Sequence, residues 1–493
     1  MKDLKQKTIQ GGLARLLAQG ANFALRVGSL MILARLLGPE DYGLVGMVAA
    51  FTGVLSLFRD FGLSSAAIQR AEVTEEQIST LFWINLLVGV LLTLLTVAMA
   101  PAIAAFYHQP RLVAVSAVMA LGFLFNAGGI QHSVLLQRQM RFTTMAVIST
   151  VSLAVGTIVG IAGAKAGYGY WALVAMTITS PFVATIGFWM AAAWIPGRPR
   201  RRAGIRSMMH FGGALTLNSL LAYLAYNAEK ILIGRYWGAD AIGIYGRAYQ
   251  LINIPTDNLN TAIGEVAFSA LSRLQHDLER LKSYFLKGYS LVLGLTIPIT
   301  IACALFPDDI IRVLLGSKWV EAAPIFRLLA PTILIFGIIN PLGWLLFSLG
   351  MVGRSLRMAL VFTPLIIAGY ACGLPYGPKG VALAYSAVMA VWAIPLIAWA
   401  VHGTVISIWD ILLTVSKPLA SAILAGGVTF RLRLAYGHLL SPLPRLVLES
   451  AVLLVLFAVV LLFVAGQKSF YLDLLRGLKA SSALEEKRNV LSA

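Results

Sequence analysis

Charge is the scarcest commodity in this chain. Only 12% of its 493 residues are Asp, Glu, Lys or Arg, about half of what a soluble protein of this size carries. Cysteine is nearly absent. Cys303 and Cys372 both lie inside apolar runs, where a thiol reads as a small hydrophobe and nothing argues for a disulfide. There is no Gly-Lys-Ser/Thr nucleotide loop, so the chain cannot draw directly on ATP, and any uphill work must use an ion gradient. No Cys/His spacing fits a metal, and no cofactor is expected. Long polar loops with clustered His, Arg and Asp are missing too, which leaves no room for a soluble catalytic domain and argues against an enzyme. Acids are the rarer sign, 21 against 39 Lys and Arg. Without an aromatic-interleaved basic region, that excess points to cytoplasmic loops of a membrane protein and not to nucleic acid.

What the chain has is apolar length. Hydrophobic residues make up 59% of it, and roughly 20 apolar residues cross a bilayer as helix. Fourteen such stretches are expected, at 12–36, 43–68, 78–106, 112–137, 143–164, 168–194, 209–236, 243–269, 284–306, 321–348, 355–374, 378–401, 408–430 and 445–466. All must be helices, because lipid offers backbone groups no partner. The Lys-rich start followed by an apolar run reads as an uncleaved first helix, since Arg15 and Arg26 interrupt it and no small-residue cleavage site follows. Basic residues gather at Lys2, Lys5 and Lys7, at Arg138 and Arg141, at Arg198–Arg206, at Arg273–Lys287, at Arg354 and Arg357, and in the tail. Fourteen spans put all of these on the side of the N-terminus, which makes both termini cytoplasmic. Arg431, Arg433 and Arg445 dissent, because they fall outside.

The chain repeats itself. Residues 30–47 align without a gap to residues 230–247, matching Arg35 to Arg235, Gly38 to Gly238, Gly43 to Gly243 and Gly46 to Gly246. An acid follows the first glycine by two residues in both copies, Glu40 and Asp240. The Arg138-Gln-Met-Arg141 motif is echoed by Arg354-Ser-Leu-Arg357. The expected class is an all-α polytopic membrane protein of about fourteen transmembrane helices, in two six-helix lobes plus a C-terminal helical hairpin. Its divisions are an N-terminal lobe at 1–196, a basic cytoplasmic linker at 197–207, a C-terminal lobe at 208–403, the hairpin at 404–466 and a cytoplasmic tail at 467–493. Six is even, so the halves share topology and relate by an axis along the membrane normal.

An ionisable side chain at mid-membrane costs at least about 2.5–3.5 kcal/mol, so each one needs a reason. Arg15, Gln19, Asn22, Arg26 and Ser29 share a face of the first span. Arg15 can snorkel to the headgroups. Arg26 is deeper and reads as a cavity-facing cation for an anionic substrate. Span seven carries Asn218, Tyr226, Glu229 and Lys230, the last two being either a self-neutralising pair or cavity groups. Span eight carries Arg247, Gln250, Asp257, Thr261 and Glu265, with Pro255 as a possible hinge. Substrate-binding candidates are therefore Arg26, Asn22, Asn218, Tyr226, Glu229, Lys230, Arg247 and Asp257. Asp60, Glu229, Asp257 and Glu265 are the candidates for ion coupling, with H+ or Na+ as the ion. Arg59-Asp60 also reads as a local ion pair, Arg327 as a cavity base or an interfacial group, and His132 and His210 as packed or solvated histidines.

At Ala34-Arg-Leu-Leu-Gly-Pro-Glu-Asp-Tyr-Gly43, Arg59-Asp-Phe-Gly-Leu63, Ile68-Gln-Arg70, Leu135–Phe142, Ile233–Gly238, Leu315-Gly-Ser-Lys-Trp319 and Ala323–Ala330, the chain resembles the polysaccharide transporter family. These are the repeat-unit flippases of the multidrug/oligosaccharidyl-lipid/polysaccharide exporter superfamily. The resemblance implies two six-helix lobes with alternating access to a central cationic cavity in a bacterial inner membrane. It implies an undecaprenyl-pyrophosphate-linked oligosaccharide as cargo, moved to the periplasmic leaflet, with membrane lipids as surroundings and polysaccharide polymerase or other biosynthetic proteins as neighbours. Arginines such as Arg26 suit a pyrophosphate, and Asn22, Asn218, Tyr223, Tyr226 and Tyr249 suit sugars. The alternatives are a multidrug cation antiporter of the same superfamily, which would favour acids and aromatics without Arg26, and a membrane polysaccharide polymerase or ligase.

Overall fold

The computed structural model describes residues 20–59, 74–199, 206–437, 439–469 and 471, and for 206–219, 221, 222, 225, 257–262, 265 and 266 the backbone alone. Among the described residues the regular structure is helical throughout. The helices are α1 (20–36), α2 (Pro39–Ser56), α3 (Glu75–Tyr107), α4 (Leu112–Arg138), α5 (Phe142–Lys165), α6 (Tyr170–Ala192) and α7 (Arg206–Arg273). There follow α8 (Leu278–Leu305), α9 (Pro307–Leu314), α10 (Ala322–Leu329), α11 (Pro331–Ser348), α12 (Val352–Gly373), α13 (Gly377–Val401), α14 (Ile408–Tyr436) and α15 (Pro442–Val459). Nine stretches of the described residues are long and apolar enough to cross a bilayer, and one of them, Val352–Val401, carries two of the expected spans. Every expected span meets a helix. Spans seven and eight are the two arms of α7, which breaks at Gly238 with φ +82° and ψ −172°, a conformation open to glycine. Span ten divides at Ala330, where Pro331 opens α11. Pro255 lies inside α7 and the helix runs on through it.

The chain packs as two compact units. The first comprises Met1–Arg247, Leu314–Ala322 and Ala359–Tyr385, and the second Ala248–Val313, Ala323–Met358 and Ser386–Ala493. This division of contacts does not follow the sequence repeat, because both copies of the repeated stretch fall in the first unit.

Within that unit the two copies cross each other. A Cβ on Gly43 would overlap the carbonyl of Ala239, and a Cβ on Gly243 would overlap the carbonyl of Pro39. In the repeat, Gly43 corresponds to Gly243 and Pro39 to Ala239, so the contact is reciprocal about a local two-fold. Backbone-on-backbone approach of this kind needs residues without side chains. Small residues set the other seams as well. Gly156, Gly160 and Gly163 of α5 lie against Ser180, Met176 and Ala172 of α6, and Gly89 of α3 lies against Ala127 of α4. The α2 start is capped by Asp41, which accepts the Gly38 N–H at 3.0 Å.

In the second unit, Leu281, Phe285, Tyr289, Leu293 and Ile297 of α8 form a buried ridge. It packs with Leu342, Leu345 and Leu346 of α11, Ala422 and Ala425 of α14, and Leu453 and Phe457 of α15. Two of the three dissenting arginines, Arg433 and Arg445, have buried partners here. Asp309, at 0% exposure, takes hydrogen bonds from both Arg433 (2.9 Å) and Arg445, and Arg433 also reaches Glu449 at 3.4 Å. Two cations meet two anions, so both arginines are held by counter-charges within the second unit.

The echoed arginine motifs also do structural work. Arg141 Nη1 donates to the Ala191 carbonyl at 2.7 Å near the end of α6. Arg354 Nη1 donates to the Ala400 and His402 carbonyls at the end of α13. Each neutralises the carbonyl end of a helix. Arg327 pairs at 3.2 Å with Asp308, both partly exposed, and His132 is fully buried and stacked on Trp189 at 4.2 Å.

Two outcomes follow. Gly43→Ala and Gly243→Ala are each expected to lower the melting temperature of the purified protein, with a cost of about 1–3 kcal/mol or more from overpacking. Gly246→Ala meets nothing within 4 Å and is expected to be neutral or mildly stabilising; equal losses at all three glycines would contradict the crossing. Asp309→Ala strands two arginines and is expected to cost on the order of 3 kcal/mol, with Arg445→Ala in the same chain recovering part of the loss in a double-mutant cycle.

Candidate functional site

The polar residues singled out on α1 and on the first arm of α7 all fall in the first unit. Asn22 and Arg26 stand one turn apart on α1, Asn22 half-buried and Arg26 exposed. Ser29, buried one turn further on, donates its hydroxyl to the Arg26 carbonyl at 2.9 Å. That bond leaves the guanidinium uninvolved. An exposed arginine of this kind is a ready partner for phosphate, because its fork can give two parallel N–H donors.

On α7 the Tyr223–Lys230 stretch is laid down by helical periodicity. Lys230 Nζ donates to Asn227 Oδ1 at 2.6 Å, and Asn227 Nδ2 donates to the Tyr223 carbonyl at 3.1 Å. The Tyr223 hydroxyl reaches the Ala50 carbonyl of α2 at 3.1 Å. Glu229 is next to Lys230 in sequence and lies within electrostatic reach of Lys230 and Tyr223. It is at 0% exposure, and among the described residues no hydrogen bond reaches either carboxylate oxygen. Tyr226 is half-buried nearby on the same arm.

Arg247 lies on the second arm. Its guanidinium carbon stands 4.0 Å from the centroid of the Tyr42 ring, a close cation–π contact. Asn218, Asp257 and Glu265 lie on the α7 backbone with side chains outside the described set, and Asp60 lies outside the described residues. In the second unit, Thr256, beside Pro255, borders a recess shared with Thr296, Asn340 and Trp344.

Some polar groups escaped the sequence reading. Asn85 of α3 and Gln131 of α4 are both at 0% exposure, and among the described residues none of their amide atoms has a partner. They sit one turn from the Gly89–Ala127 contact, which places them on facing sides of one seam. Hydropathy averaged over a span hides single amides of this kind. Trp319 was legible only as a letter in a motif. It is at 0% exposure and its indole N–H donates to the Ala34 carbonyl at 2.7 Å.

Comparison with known proteins identifies the family and the fold. The family model described as "Polysaccharide biosynthesis protein" matches residues 32–324, more than half of the chain. The lipopolysaccharide biosynthesis protein WzxC of Escherichia coli is 25% identical over 425 residues, 82% of this chain and 85% of its own length. The teichuronic acid biosynthesis protein TuaB of Bacillus subtilis is 32% identical over 59% of this chain and 61% of its own. The succinoglycan biosynthesis transport protein ExoT of Rhizobium meliloti is 25% identical over 69% and 68%. Among solved structures, the lipid II flippase MurJ in an inward closed conformation matches with a TM-score of 0.72 at 14% identity, covering 95% of this chain and all of that one. An inward-facing multidrug resistance transporter of the MATE family matches at 0.62 and 16% identity, covering 77% and 94%. These two likenesses show the fold. The solved structures are transporters and one relative is named a transport protein; none of these proteins is named an enzyme. The chain belongs to the polysaccharide biosynthesis protein family, and its described residues hold many helices long and apolar enough to cross a membrane.

Proposed function

We propose that this chain is a flippase for an undecaprenyl-pyrophosphate-linked oligosaccharide, carrying the repeat unit of a surface polysaccharide from the cytoplasmic to the periplasmic leaflet by alternating access. The observation that carries the reading is kinship along most of the chain with proteins named for surface-polysaccharide biosynthesis, one of them a transport protein. The membrane is then the bacterial inner membrane, with both termini cytoplasmic and the Gly38 and Gly238 turns facing the periplasm. The lobes are the sequence halves 1–196 and 208–403, joined by the basic linker, with the hairpin at 404–466 attached to the second.

Exposed Arg26, with Asn22 one turn away, supports a pyrophosphate contact inside the membrane, where a charge without such a task is costly. Tyr226, Lys230 and Asn218 are the sugar-facing candidates on α7, and Arg247 and Asp257 those on its second arm. Glu229 is the ion-coupling group we favour over Asp60, Asp257 and Glu265, because it is fully buried and, among the described residues, no side chain hydrogen-bonds its oxygens. A bare buried carboxylate charge costs several kcal/mol. One charge gained or lost there would therefore shift the balance between conformations strongly, and H+ is the ion that adds or removes it most simply. Polymerase and other biosynthetic proteins are the neighbours expected to receive the product.

The test is translocation of a fluorescent polyprenyl-pyrophosphate oligosaccharide in proteoliposomes. The native protein is expected to move it, Arg26→Ala to lose about tenfold or more, and Glu229→Gln to lose the dependence on an imposed proton gradient. Export of a lipophilic cation by a native protein that moves no lipid-linked sugar would replace this reading with the antiporter.

A further inference from the structure

The stretch joining α9 to α10 does something neither flanking helix does. Leu314–Ala322 packs with the first unit, whereas the chain before and after it packs with the second. It makes one 3₁₀ turn, Ser317–Trp319, entered through Gly316 at φ +98°. Three of its residues meet the end of α1. Trp319 is at 0% exposure and donates its indole N–H to the Ala34 carbonyl at 2.7 Å. Lys318 Nζ donates to the Leu36 carbonyl at 3.4 Å, and Gly316 leaves just enough room for the Arg35 side chain, whose Cγ would stand 3.3 Å from an added Cβ. Ala34 and Leu36 belong to the last turn of α1, whose carbonyls have no partner within the helix. The caps they receive come from 285 and 282 residues away in the sequence.

The same tryptophan touches the crossing of the repeat. Its ring meets Tyr42 edge-on, centroids 5.4 Å apart at 71°. The other face of this arrangement is Arg247, 4.0 Å from the Tyr42 centroid. Tyr42 immediately precedes Gly43, and Arg247 closes the second copy. One ring of the first copy thus contacts both the strap and the second copy.

We propose that Leu315–Val320 is a removable latch on the repeat crossing, with Trp319 as its positioning residue. Seated, Trp319 caps α1 and holds Tyr42 under Arg247, so the crossing stays shut. Released, it uncovers two helix-end carbonyls and frees Tyr42, and the two copies can part. The latch is made of a few hydrogen bonds and one ring, an amount of interaction that a conformational cycle can make and break, since a net hydrogen bond is worth about 1 kcal/mol. The inference rests on the alternating-access reading above.

The experiment tethers the latch in place. After Cys303 and Cys372 are replaced by alanine, Leu36→Cys and Lys318→Cys are joined by a short bifunctional maleimide. A separate protein carries Met47→Cys, a position at 0% exposure that packs on Gly234 behind the crossing, with and without Trp319→Ala. Two readouts are taken. The tethered protein is expected to transport at least about tenfold more slowly than the same protein untethered, a comparison that folding defects cannot mimic. Trp319→Ala is expected to speed labelling of Met47→Cys by a water-soluble maleimide several-fold, with Trp319→Phe, which loses only the N–H, in between. Labelling needs no cargo, so it reads the latch even where the native chain moves no lipid-linked sugar. Unchanged labelling in Trp319→Ala, or native transport with the tether in place, overturns the latch.

Discussion

The structure turns on one close approach, Gly43 against the Ala239 carbonyl and Gly243 against the Pro39 carbonyl. Two peptide backbones touch there because two glycines allow it. Around that contact α2 lies along the first arm of α7, with Gly234 packed on Met47 and Tyr107, and with the Tyr223 hydroxyl seated against Gly53. The segment that carries Glu229 and Lys230 is therefore positioned by the crossing. A shift of the crossing moves these groups together, since packed interiors transmit displacement and do not absorb it.

Charge in this chain divides into two kinds of work. Arg141, Arg354, Arg433 and Arg445 cap helix ends or close on Asp309 and Glu449. Their partners are fixed and their cost is met locally, as membrane interiors require. Exposed Arg26 and buried Glu229 stand apart from that scheme. Among the described residues neither side chain is tied into the helix-end or hairpin network.

Much of this was legible in the sequence, for physical reasons. Lipid forces backbone groups to pair within a segment, so apolar length alone located the helices. The glycine repeat was legible because backbone contact tolerates few other residues. The pairing of Arg433 and Arg445 was not legible because Asp309, their counter-charge, lies more than a hundred positions earlier and reads as an ordinary loop acid. Trp319 was hidden for the same reason at greater distance: its partner, the Ala34 carbonyl, has no side chain to betray it. Asn85 and Gln131 were hidden by averaging. Both arginine motifs were visible as an echo, but topology alone did not reveal that they cap α6 and α13.

The central claim is that the two copies of the repeat close on each other and must part during transport. The most direct measurement is the distance between spin labels at Glu40 and Asp240, the exposed acids two residues past each turn glycine, in lipid with and without a polyprenyl-pyrophosphate oligosaccharide. The account predicts two distance populations whose proportions change when cargo is added. A single short distance under every condition, in a protein that transports, would contradict it.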